Sequence, residues 1–215
     1  MKKAFTMLEL VFVIVIVGIL SYFVSSSFQR NPLREAADQV VSHIRYTQHL
    51  AMIDDKFDPN DATWYVKKWQ IRFRENSGDI YCAIYSDLNK DRNVNCNATT
   101  CLEPAIDPLN QKPLYYFASR ANDKMLLSQK YGIKNVIVTC DVPDSSLYTQ
   151  SLGVISFDNL GRPYNGLGQN SIISNSEFKF LLQNDCNITL VNSDSNVTIT
   201  VTKETGYTYI SAQNY

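Results

Sequence analysis

Histidine is almost missing from this chain: His43 and His49 are the only two among 215 residues. Metal ligands sharing a helical face are three or four residues apart, so these two, six apart, read as surface or packing residues. No CxxC spacing occurs either, which argues against a structural zinc. There is no GxSxG and no glycine-rich phosphate loop, and nothing else is arranged like a catalytic site, so an enzyme is set aside. A basic excess is lacking too: 20 Lys and Arg stand against 21 Asp and Glu, for a net charge of −1. That balance gives nucleic acid or anionic lipid no general attraction. Past the N-terminus the tight basic pairs are Lys67-Lys68, Arg72/Arg74 and Lys90/Arg92, and the tail TGYTYISAQNY has three tyrosines and no base.

What the chain does have is a long apolar run. Met7 to Val24 is apolar except for Glu9, Gly18, Ser21 and Tyr22. Its length is close to the roughly 20 residues that span a bilayer, and Lys2 and Lys3 before it keep the short N-terminus on the cytoplasmic side. A cleaved secretory signal is the rival, with Ser25-Ser26-Ser27 as the small-residue site. Glu9 argues against it, because a carboxylate in the span costs on the order of 2–4 kcal/mol and so needs a use. A cut between Ala4 and Phe5 would create an amine one turn before Glu9. Amine and carboxylate offset each other's desolvation only as a pair, within one chain or between neighbouring copies.

At this point KKAFTMLELVFVIVIVGIL resembles the class III signal of type IV pilins and pseudopilins. The resemblance implies that a prepilin peptidase cleaves between Ala4 and Phe5 and N-methylates Phe5, and that Glu9 is the assembly carboxylate. Ala4 departs from the family's usual Gly, which predicts slower processing. Loss of Met1 to Ala4 would leave 18 basic against 21 acidic side chains, or −3.

Beyond the span, Asn31-Pro32 reads as a helix start with proline at the first position. Leu33, Ala36, Ala37, Val40, Val41, Ile44, Thr47, Gln48 and Ala51 fall on one helical face, and Arg34, Glu35, Asp38, Gln39, Ser42 and Arg45 take much of the other. A single helix from Phe5 to Asp54 would be about 75 Å long. Strands follow at Trp64–Val66, Trp69–Arg74, Ile80–Tyr85, Lys134–Asp141, Leu152–Asp158, Glu177–Gln183, Asn187–Val191, Val197–Thr202 and Tyr207–Ser211, with turns at 76–79, 158–161 and 205–206. The predicted fold class is therefore α+β: a long N-terminal helix, its first half membrane-spanning, packed on a C-terminal antiparallel β-sheet domain of pilin-like type. The predicted divisions are 1–4 as leader, 5–28 as span and filament core, 29–55 as amphipathic helix and 56–215 as β-rich domain.

The order of helix, WQIRF, ISFDNLGRP and TITVTKETGYTYI is similar to H-type minor pseudopilins of type II secretion and to related minor pilins. This resemblance implies a non-enzymatic minor filament subunit in the bacterial inner membrane, with its C-terminal domain periplasmic. Its partners would be other pilin subunits, the prepilin peptidase and the inner-membrane assembly platform. A minor pilin binding DNA for uptake or adhering to a surface is the alternative, with nucleic acid the less favoured ligand.

All five cysteines lie after the span, where an exported domain meets oxidising conditions. Cys96 and Cys101 are spaced to staple a small loop, and Cys140 and Cys186 to join two strands; pairing stays open, and the odd count leaves one thiol over. In SDLNKDRNVNCN, the alternation of Asp87, Asn89, Asp91 and Asn93 is that of the first half of a calcium loop, which makes calcium the one candidate cofactor. Arg92 stands where such loops have glycine, and Ala98 where they have glutamate; Glu103 or Asp107 could close the site if the Cys96–Cys101 loop folds back. Plain Asx turns read from the same residues.

Overall fold

Residues 6–27, 31–90, 94, 102–116, 122–140, 151–165 and 180–214 are described by the computed structural model, without the side chains of 24–27 and 151. Ala4, Phe5, Asp91, Asn93, Cys96 and Cys101 therefore lie outside the described residues, as do 177–179 of the strand expected at Glu177–Gln183; its remainder, 180–183, is not a strand and makes only an isolated bridge from Leu181 to Tyr164. The chain divides into two units, Met1–Asn31 and Pro32–Tyr215.

The first unit contains α1, Met7–Ser27. Every side chain described in it, from Met7 to Phe23, is exposed. Its 21 residues extend about 31 Å at 1.5 Å each. Among the described residues no helix is long and apolar enough to cross a membrane.

The second unit is built on α2, Pro32–Ile53. Proline opens it, as Asn31-Pro32 predicts, and the expected face is the one that is buried: Leu33, Ala36, Ala37, Val40, Val41, Ile44, Thr47 and Ala51. α2 packs on two antiparallel sheets. One has the order β2-β1-β4-β5, from Trp69–Asn76 (β1), Asp79–Ser86 (β2), Ser151–Phe157 (β4) and Pro163–Asn165 (β5). The other has the order β3-β6-β7-β8, from Asn135–Thr139 (β3), Cys186–Val191 (β6), Asn196–Val201 (β7) and Thr208–Asn214 (β8). β1 and β2 turn over Ser77 and Gly78, both at positive φ (54° and 84°), the backbone that a two-residue hairpin of right-handed twist requires.

The sheets meet where β4 runs past β3. A Cβ on Gly153 would stand 2.5 Å from the Val138 Cβ, so only glycine permits this approach. One core results, with Ile71, Phe73, Ile155 and Phe157 from the first sheet and Ile188, Leu190, Val197 and Ile199 from the second, all fully buried. The Cys140–Cys186 disulfide joins the residue after β3 to the first of β6, one of the pairings the sequence leaves open. Cys82 is a buried free thiol.

The α+β class and the antiparallel strands agree with expectation; three further details differ. Trp64–Val66 is not a strand but part of a single 3₁₀ turn, Trp64–Lys67. The cause is Asp61: Lys67 Nζ lies 2.9 Å from its carboxylate, and a strand, rising about 3.3 Å per residue, would carry Lys67 too far away. β5 escapes prediction because Pro163 begins it, and proline is tolerated only at strand starts and edges. Leu127–Tyr131 (α3) is a short helix ending on Gly132 in the left-handed conformation, and it too goes unanticipated.

Candidate functional site

At the head of α1, Thr6 and Glu9 form a reciprocal cap. The Thr6 backbone N–H donates to Glu9 Oε2 at 3.1 Å, and the Glu9 N–H donates to Thr6 Oγ1 at 3.3 Å. The Thr6 carbonyl accepts the first helical hydrogen bond from Leu10, at 3.2 Å. This is a capping box, which satisfies two of the orphan donors at a helix start. It is written in the sequence as T-M-L-E before an apolar run, a signal the reading of Glu9 as a membrane carboxylate passes over. The two roles are compatible: the carboxylate is anchored beside Thr6, one residue from the expected terminal amine of Phe5.

The acidic loop is described only in part. Asp87 and Glu103 are both buried. Glu103 Oε1 accepts from the N–H groups of Leu88 (3.2 Å) and Asn89 (3.4 Å), so Glu103 does back the start of the loop. Asp107 does not: it accepts from Leu109 N–H, Asn122 Nδ2 and Lys124 Nζ, and these partners hold its carboxyl below the usual range against the opposing effect of burial. Lys90, at φ 62°, sends its ammonium to Asp61 Oδ1 and Thr63 Oγ1, each at 2.6 Å. Asp61, hydrogen-bonded by Lys90 and Lys67, has its carboxyl well below the ordinary carboxylate range. Among the described residues no group of three His, Cys, Asp or Glu stands close enough to hold a metal.

The basic pairs are used inside the domain. Lys68 is 3% exposed, with its ammonium 3.7 Å from the Tyr164 ring centroid and 5.5 Å from that of Trp64. Arg72 is buried with its guanidinium over Tyr85. Of these four, Arg74 and the paired Lys67 lie nearer the surface.

Gln48 does more than its place on the α2 face suggests. Its Nε2 donates to the Gly161 carbonyl (2.8 Å) and to the Thr205 carbonyl (2.7 Å), joining the β4–β5 turn to the β7–β8 turn. Gly206, at φ 64°, lets the turns touch: a Cβ there would meet the Gly161 oxygen at 2.7 Å. The first of these turns is organised by buried Asp158. It accepts from the Leu160 and Arg162 N–H groups, from Arg162 Nε at 2.7 Å and from the Tyr164 hydroxyl at 3.0 Å. The ISFDNLGRP stretch is thus architecture.

Of the histidines, His43 is buried. Its Nε2 lies 3.1 Å from Gln39 Nε2, and burial pulls its pKa down to about 4. His49 is exposed.

No family model matches this chain, and neither a curated protein nor a solved structure matches it.

Proposed function

We propose that the protein is a non-enzymatic minor subunit of a type II secretion pseudopilus or a type IV pilus-like filament. It is cleaved between Ala4 and Phe5, methylated on Phe5, and held in the bacterial inner membrane by α1 until it joins the filament. Its domain from Pro32 onward faces the periplasm. Its partners are the prepilin peptidase, the assembly platform and other pilin-like subunits.

One observation carries this reading. α1 is apolar on every side, and its side chains are exposed, from 47% at Val13 to 87% at Met7. A helix apolar all round requires apolar surroundings. The Pro32–Tyr215 unit has a core of its own, built from α2, α3, the two sheets and the segments between them. Lipid, and then the same helix of neighbouring copies, supply what α1 lacks. The burial of Lys68 and Arg72 counts against the DNA-binding alternative.

The test is the intact mass and N-terminal sequence of protein recovered from its own membrane, together with two variants of Glu9. The reading expects a terminus at Phe5 with one added methyl group. Glu9→Gln keeps the cap, since glutamine also serves at that position of the box, but removes the charge. It should be processed and inserted yet fail to enter filaments, as should Glu9→Leu. A retained Met1, or a cut after Ser27, refutes the proposal. Normal assembly of Glu9→Gln would reduce Glu9 to a helix cap.

A further inference from the structure

The outward face of the second sheet is uncharged. In β6 and β7 the residues Ile188, Leu190, Val197 and Ile199 point into the core, which turns Asn187, Thr189, Thr198 and Thr200 outward. The strand register sets Thr139, Asn187, Thr200 and Tyr209 in one row across the four strands, and Ile137, Thr189 and Thr198 in the next. No Asp, Glu, Lys, Arg or His occurs anywhere in these four strands, although 19% of the chain is charged.

The polar groups of the face are held in place by one another. The Thr200 hydroxyl lies 2.7 Å from Asn187 Oδ1 and 2.8 Å from Ser211 Oγ, and the Thr189 and Thr198 hydroxyls are 3.2 Å apart. At one border Tyr207 and Tyr209 stack, with ring centroids 5.7 Å apart and planes 22° apart; they are 57% and 37% exposed. Arg45 fixes this border: its guanidinium sits over Tyr207, and Nη2 donates to the Thr208 carbonyl at 2.7 Å.

A neutral, flat β surface beside an edge strand invites unwanted pairing, and proteins ordinarily break it with charge. Strand addition is blocked here from the border of the face, by a residue outside the four strands and by a bulge. Arg45 occupies the Thr208 carbonyl, and the β7–β8 register slips after Thr198, a bulge that bends the edge away. Six residues at about 3.3 Å and four strands at about 4.8 Å give a face of roughly 20 by 15–20 Å. That is well under the ~800 Å² per partner of a stable protein interface, and its threonine and asparagine are poor anchors for a protein partner.

We propose that this face binds a neutral polysaccharide. Sugar hydroxyls both donate and accept, so they pair with fixed hydroxyl and amide groups without a counter-charge, and the C–H face of a pyranose stacks on tyrosine. None of this rests on α1, so failure of the processing test and failure here are separable.

The experiment is depletion of the full-length chain, in detergent micelles, from solution by suspended cellulose, chitin and cross-linked dextran, with anionic alginate gel as contrast. Retention on at least one neutral matrix, unchanged by high salt, supports the proposal. Thr198→Lys and Tyr209→Ala should each weaken retention by about tenfold or more while the domain stays folded, its melting temperature lowered by only a few degrees for the lost hydroxyl contact or ring stack. The proposal is overturned by no retention on any neutral matrix, by salt-sensitive binding to alginate alone, or by retention that both variants leave intact. Self-association abolished by Thr198→Lys, with no polysaccharide retention, overturns it in favour of a second copy.

Discussion

Removing the Cys140–Cys186 bridge should cost the second unit much of its stability. The two cysteines are 46 residues apart, and closing a loop of that length in the unfolded chain removes entropy worth about 4 kcal/mol in the chain-entropy account. Native contacts lose little, because β3 and β6 stay paired from Asn135↔Val191 to Thr139↔Asn187 without the bridge. The effect falls on the unfolded chain. The loop encloses β4 and β5, which belong to the other sheet, and once unbridged they separate freely from β3 and β6. Cys82 will not trade into the bond: burial pushes its thiol up to about 12, and a protonated buried thiol is a poor nucleophile. The assay is thermal unfolding of Cys140→Ser/Cys186→Ser against the parent, followed by near-UV circular dichroism. At roughly 2–4 °C per kcal/mol for a domain of this size, the melting temperature should fall by roughly 8–16 °C. A fall of under about 2 °C, or none on reducing the parent, refutes the reasoning, since less than 1 kcal/mol would then come from the bridge.

Two further outcomes follow from the core. Gly206→Ala adds a Cβ 2.7 Å from the Gly161 oxygen at a φ of 64°, so the urea midpoint should drop by the equivalent of about 2–4 kcal/mol, and an unchanged midpoint would sink the account of the turn junction. His43 is neutral in the folded state down to about pH 4, whereas the unfolded chain protonates it near 6.5, so the unfolded state binds more protons between these values. Stability from this residue is complete above pH 6.5 and falls by about 3 kcal/mol as pH drops to 4. Subtracting the urea-derived profile of His43→Gln should isolate that slope, and parallel profiles would show that His43 does not titrate as argued.

What could be read from the sequence was whatever is local. The α2 face followed from three- and four-residue spacing, and Leu33 through Ala51 are buried where that spacing put them. Most strands from Trp69 onward followed from alternation, but β5 did not, and Phe180 to Gln183 form no strand. Gln48 belonged to the same face, yet its partners lie 113 and 157 residues away, and no periodicity reports them. Trp64-Tyr65-Val66 has strand composition, but Asp61 binds Lys67 and Lys90, and that long-range pairing curls the segment. The uncharged outer face was present in the letters of β3, β6, β7 and β8, but only the register lines up Asn187 with Thr200 and Thr189 with Thr198. Glu9 carried two signals at once, a carboxylate in an apolar run and the fourth letter of a capping box.

The junction at Gln48 also sets a timetable. During synthesis the amphipathic helix and the β1–β2 hairpin emerge early, but Gln48 has only its Gly161 partner until Thr205 and Gly206 arrive. β7 and β8 both pack on it, so a nascent chain that lacks them leaves part of the helix's apolar face uncovered. An interrupted or clipped product keeps that face in water, where chaperones and proteases recognise it. Burial of the amphipathic helix is thus tied to the last strands of the sheet, although the helix lies at the other end of the unit's sequence.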